Sequence, residues 1–110
     1  MDWHPDIGID IVERDDMVFV LVEGEVDLYS APEFEQSLTT AAATDPPSII
    51  VDLDRVSFMD SAGVHVLLQF SLTDGIRNRL ALTRGSPQVR RLLDVTGVRR
   101  YLSFVGPDGF

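Results

Sequence analysis

Apolar and polar residues alternate near the start of the chain: Ile7, Ile9 and Ile11 are separated by Gly8 and Asp10. That is the two-residue period of a half-buried strand, predicted over 7–12. Arg14, Asp15 and Asp16 interrupt it and predict a tight turn. The next segment, MVFVLVEGEVD, carries a continuous apolar run from Val18 to Val22, which suits a strand covered on both faces. The two segments are expected to form a hairpin. Ser30-Ala31-Pro32-Glu33 reads as a helix start, with Ser30 as cap, Pro32 in the first turn and Glu33 at capping-box spacing. Phe34, Leu38, Ala41 and Ala42 then fall on one helical face, and Asp45-Pro46-Pro47 ends the helix.

Residues 48–53, SIIVDL, read as a central strand, followed by a loop over 54–60 that contains Val56, Phe58 and Met59. A second helix is expected from Asp60 or Ser61 to about Asp74. Its apolar residues cover more than one face, so it is either well buried or presents an apolar stripe to a partner. Gly75 closes it. Residues 80–83 are a short strand candidate. Ser86-Pro87 opens a third helix with Val89, Leu92 and Leu93 inward and Arg90 and Arg91 outward, and Gly97 ends it. A last strand is expected over 102–105, before a frayed GPDGF end. Strands that alternate with helices imply an α/β fold: a mixed, mostly parallel sheet with a starting β-hairpin and helices packed against it. One domain is expected over 1–110, with its core at about 7–105.

Composition narrows the chemistry. There is no cysteine, so neither disulfides nor thiolate metal sites are available. All nine basic residues are arginine, which excludes a lysine nucleophile or Schiff base. The net charge of -9 argues against nucleic acid or anionic membrane as a direct partner; it suits a basic patch on another protein or serves solubility alone. MDWHPDIG lacks the pattern of a signal peptide, and no apolar stretch is long enough to span a bilayer, so a cytoplasmic location is expected. His4, near the terminus, and His65 are too far apart in sequence to suggest a zinc site. No cofactor-binding glycine motif is present.

In open α/β sheets, functional groups gather where strands end and the following helices begin. Two stretches meet that description: GEVDLYS, from Gly24 to Ser30, and FMDSAG, from Phe58 to Gly63. If their strands are neighbours, Asp27 and Asp60 flank Ser61. Ser61 reads either as a helix cap or as an acceptor of a phosphoryl group, which free N–H groups of the helix start would tolerate and nearby Glu25, Asp27 and Asp60 would oppose. Asp27 and Asp60 read equally as turn and cap residues. Gly63, in the first helical turn, suggests close approach of another backbone. His65 lies one turn beyond Ser61, so a serine hydrolase using Ser61, His65 and Asp60 is a competing hypothesis, although the GxSxG elbow is missing. A receiver domain phosphorylated on Asp52 or Asp54 is set aside because it needs a lysine near the site.

Three stretches in order, GEVDLYSAPEF, IIVDLDRVSFMDSAGVHVLL and SPQVRRLLDVTGV, resemble the STAS domain, specifically bacterial anti-sigma factor antagonists. The resemblance runs from about Ile7 to Val105. It implies that Ser61 is phosphorylated by an anti-sigma factor that is a serine kinase. Asp60, Gly63 and Asp27 then match the family's aspartate before the serine, its motif glycine and the aspartate of its G-E-[LV]-D segment. Gly24, Glu25, Ser30, Met59, Ala62 and His65 complete the implied phosphosite and partner-binding surroundings. The unphosphorylated form would bind the anti-sigma factor and release the sigma factor. Phosphorylation would end binding, and a metal-dependent phosphatase would restore it. ATP would belong to the kinase, leaving this chain with no cofactor. Ala62 departs from the family's second hydroxyl, and His65 from a position where a small residue is common. The chain also stops soon after its last expected strand, where many relatives continue into another helix. A STAS scaffold subunit of a transport or stress-sensing complex is the alternative.

Overall fold

The first two strands, β1 (Ile7–Arg14) and β2 (Met17–Val26), pair antiparallel from Ile7 opposite Gly24 to Arg14 opposite Met17. Asp15 and Asp16 form the two-residue turn, both at positive φ (52° and 67°). Such a turn matches the twist of the strands it joins, and aspartate is among the few non-glycine residues that enter this region readily. This computed structural model describes residues 7–105; His4 and the GPDGF end lie outside them. The chain continues through α1 (Ala31–Ala42), β3 (Ser48–Met59), α2 (Ser61–Ser71), β4 (Leu80–Leu82) and α3 (Pro87–Val95). The sheet order is β1-β2-β3-β4, with β3 parallel to both neighbours. The result is the single α/β domain with a starting hairpin that the alternation of elements implied.

Registration explains the core. Val18 pairs with Ile49 and Val20 with Val51, so their side chains share one sheet face. On that face they meet Phe34 and Leu38 of α1, Leu67 of α2, and Val89 and Leu93 of α3 in one buried cluster. Residues between them point away: Leu21 is 37% exposed and Phe19 half-buried. The expectation that 18–22 is covered on both faces is therefore corrected, because the helices pack on one face of the sheet and every second residue looks the other way.

A second correction concerns residues 54–60. β3 runs on through this stretch to Met59 instead of ending at Leu53. Its pairing with β2 slips twice, between Leu21/Glu23 and between Gly24/Glu25, each time fitting one extra β3 residue. These bulges put Leu53, Val56 and Met59 inward at intervals of three, which hides the strand's period of two. α2 stops at Ser71, short of Asp74, and Gly75 (φ 81°) sits in the turn beyond. Arg90, expected outward with Arg91, is partly buried, and its Nε is covered and makes no hydrogen bond among the described residues. The last strand expected over 102–105 is reduced to a single parallel bridge of Phe104 to Leu82, and a 3-10 turn (Arg99–Tyr101) precedes it.

The hairpin turn yields a test. Asn at 15 with Gly at 16 suits two positive-φ positions better than two aspartates. Asp15→Asn with Asp16→Gly is expected to raise stability by about 0.5–1 kcal/mol in urea unfolding, the relief of left-handed strain being partly offset by the entropy cost of glycine. Destabilisation would contradict the turn geometry.

Candidate functional site

The site forms where β2 and β3 end together. Val26 pairs with Met59, and the Asp60 N–H donates to Val26 O at 3.1 Å. The two stretches singled out from sequence are thereby neighbours.

On the β2 side, the Asp27 carboxylate folds back over its own loop. Oδ1 accepts from the N–H groups of Tyr29 and Ser30, both at 3.0 Å. Asp27 O accepts from the Ala31 N–H at 2.8 Å. Asp27 therefore starts α1, and the Ser30 cap is corrected: Ser30 has helical φ/ψ and makes no side-chain cap bond. Its hydroxyl is buried instead, donating to Glu25 O at 2.9 Å and accepting from the Asp27 N–H at 2.9 Å. That ties the end of β2 to the beginning of α1. Gly24 (φ 91°) adopts a backbone that favours glycine, and its carbonyl accepts from the Ser57 hydroxyl at 3.1 Å. The loop leaves Leu28 and Tyr29 exposed, at 70% and 73%.

On the β3 side, Asp60 is the N-cap of α2, and its Oδ1 accepts from the Ala62 N–H at 2.9 Å. Asp60 O accepts from the N–H groups of Gly63 and Val64. The first-turn donors are thus largely taken, so the free N–H groups expected around Ser61 are corrected: the cap and the helix itself use them. Ser61 is the first helical residue, and it is exposed. Among the described residues its hydroxyl makes no hydrogen bond. With Asp60 as cap, no capping role is left for Ser61.

Gly63 is buried, and what approaches it is side chain, not the backbone expected. A Cβ there would lie 2.7 Å from Met59 Cγ and 2.9 Å from Val26 Cγ1. Met59 is fully buried, and its backbone is gripped by the Gln88 side chain of α3. The Met59 N–H donates to Gln88 Oε1 and Gln88 Nε2 donates to Met59 O, both at 2.8 Å. β4 pairs only with Ile49–Val51, so this amide stands in for a strand partner beside the serine. Gln88 escaped the sequence reading, since nothing local marks a glutamine that reaches 29 residues back along the chain.

A groove of about 690 Å³ opens between α1 and α2, with Asp60, Ser61, Ala62 and His65 on one wall and Leu28, Pro32 and Glu35 on the other. Gly24, Glu25, Asp27, Ser30, Met59 and Gly63 do not line it; Asp27 and Ser30 tie β2 to α1, and Met59 packs against Gly63. Leu28, Pro32 and Glu35 were not singled out from sequence. No hydrogen bond joins Ser61 to His65 among the described residues, and the Asp60 carboxylate is bonded to the Ala62 N–H as the cap of the helix. The described residues contain no cluster of three or more metal-ligating side chains, and none of their helices is long and apolar enough to cross a membrane.

The STAS domain family model matches residues 8–107. An anti-sigma-B factor antagonist of Listeria monocytogenes is 31% identical over 105 residues, 94% of this chain and 92% of its own length. Among solved structures, an anti-sigma factor antagonist from Mycobacterium paratuberculosis superposes with a TM-score of 0.84 at 28% identity, covering 94% of this chain and 91% of that one. The anti-sigma factor antagonist SpoIIAA in its unphosphorylated form gives 0.68 at 25% identity, covering 94% and 90%.

Two substitutions separate cap from exposed hydroxyl. Asp60→Ala is expected to lower stability by about 1 kcal/mol. Ser61→Ala should stay within about 0.5 kcal/mol of the parent. Gly63→Ala, which crowds Met59 and Val26, is expected to destabilise by about 1–3 kcal/mol. Denaturant midpoints at constant slope check all three, and an equal loss for Asp60→Ala and Ser61→Ala would refute the assignment of the cap.

Proposed function

Because the chain belongs to the STAS domain family, we propose that it is an anti-sigma factor antagonist whose binding is switched at Ser61. In its unphosphorylated form it binds an anti-sigma factor that is a serine kinase, and so frees the sigma factor. The kinase transfers a phosphoryl group from its own ATP to the Ser61 hydroxyl, and the complex separates. A metal-dependent phosphatase removes the phosphate and resets the cycle. The observation that carries this reading is the exposed Ser61 hydroxyl, with no structural task, on the wall of an open groove. The names of the relatives support it.

The physics of the switch follows from the surroundings. Leu28 and Tyr29 offer exposed apolar contact beside the groove, and tyrosine is favoured at interfaces. A phosphate on Ser61 brings a charge of about -1.5 to -2. Asp60 and Glu35 already supply negative charge on the same groove. The engaged N–H groups of Ala62, Gly63 and Val64 keep the phosphate from sinking into the helix start. Its charge therefore stays at the surface, where a partner fitted to the neutral hydroxyl meets repulsion and a desolvation penalty.

Wild-type protein and Ser61→Asp, used as baits in lysate and read by mass spectrometry, test the proposal. An anti-sigma kinase should be held by wild type and lost, or weakened by about tenfold or more, with Ser61→Asp. Equal retention of the same partner by both baits would defeat the switch.

A further inference from the structure

We infer that His65 is the on-chain counter-charge for a phosphate on Ser61, so that phosphorylation there carries uptake of a proton by the imidazole. This deepens the proposed phosphoswitch and rests on it for biological meaning.

Ser61 and His65 are four residues apart on α2, both exposed, and both on the same wall of the groove. Residues at this spacing have Cβ atoms about 5–6 Å apart, within reach of a phosphate oxygen for an imidazole N–H. Among the described residues lining the groove, His65 is the one side chain able to carry positive charge. The charged neighbours are Asp60 at the start of α2 and Glu35 from α1, while the loop before α1 contributes Leu28. Among the described residues no arginine lines the groove, so His65 alone there can answer a dianion. Asp60 and Glu35 are present in both states, and the phosphate is the charge that changes.

Protonated imidazole forms a charge-assisted hydrogen bond to a phosphate oxygen. In the neutral imidazole the second nitrogen becomes an acceptor and the attraction of full charges is lost. The sign follows. At lower pH the protonated ring masks part of the phosphate's charge; as pH rises and the ring loses its proton, the full charge faces a partner. Release by phosphorylation is therefore more complete at higher pH.

The test installs phosphoserine at position 61 during translation, so it needs neither the kinase nor a partner. Proton NMR then follows the His65 ring from about pH 5 to 9, with His4 as internal reference. The His65 midpoint is expected to move up by about 0.5–1 pH unit relative to unphosphorylated protein, a three- to tenfold tighter hold on its proton. Reciprocally, the phosphorus-31 titration of the phosphoserine should move to higher pH in the exposed-site variant His65→Gln. A His65 midpoint that shifts no more than that of His4, or a phosphate titration indifferent to His65→Gln, would overturn the pairing. If Ser61→Asp still released the kinase in that event, only the pairing would be lost. If the pairing held but Ser61→Asp released nothing, the switch would fall and the electrostatic pair would stand.

Discussion

Parallel pairing of β2 with β3 brings both strands out at one end of the sheet, with Val26 beside Met59. Everything at the site hangs on that register. It places the loop into α1 next to the cap of α2 and lets the Asp60 N–H bond to Val26 O. The two slips in pairing allow β3 to carry polar residues and still deliver Met59 inward. A shift of one residue would turn Met59 outward and take the packing under Gly63 with it.

The acidic and hydroxyl side chains divide the work. Asp27 and Asp60 each bond backbone N–H groups at the start of a helix, and the Ser30 hydroxyl is buried between β2 and α1. These are structural tasks, and each would cost stability to remove. Ser61 sits among them with none. A residue that can be modified without disturbing the fold must have this character. The surrounding network holds its own hydrogen bonds without the Ser61 hydroxyl.

Rigidity behind the serine comes from three directions. Gln88 clamps both backbone groups of Met59, the Met59 side chain fills the space under Gly63, and Val26 closes the same space from β2. A glycine in the first turn lowers helix propensity, but any larger residue would meet these side chains. Stability of the isolated helix is given up for close packing at the one place where the orientation of α2 fixes the orientation of Ser61.

Much of this was legible in order along the chain. The hairpin and the three helices follow from apolar spacing and from local signals such as Asp45-Pro46-Pro47, Ser86-Pro87 and Gly97, because those forces act within a few residues. The stretches GEVDLYS and FMDSAG also marked the site. What stayed hidden was set by partners distant in sequence. The bulges of β3 depend on its register with β2, the one-sided burial of 18–22 on where the helices settle, and the grip of Gln88 on a contact across the fold. Above all, sequence alone left Asp60 and Ser61 as rival caps of one helix. Tertiary structure decided between them: pairing of β2 with β3 fixes the Asp60 backbone in an extended conformation, which turns its carboxylate onto the Ala62 N–H and leaves the serine to the surface.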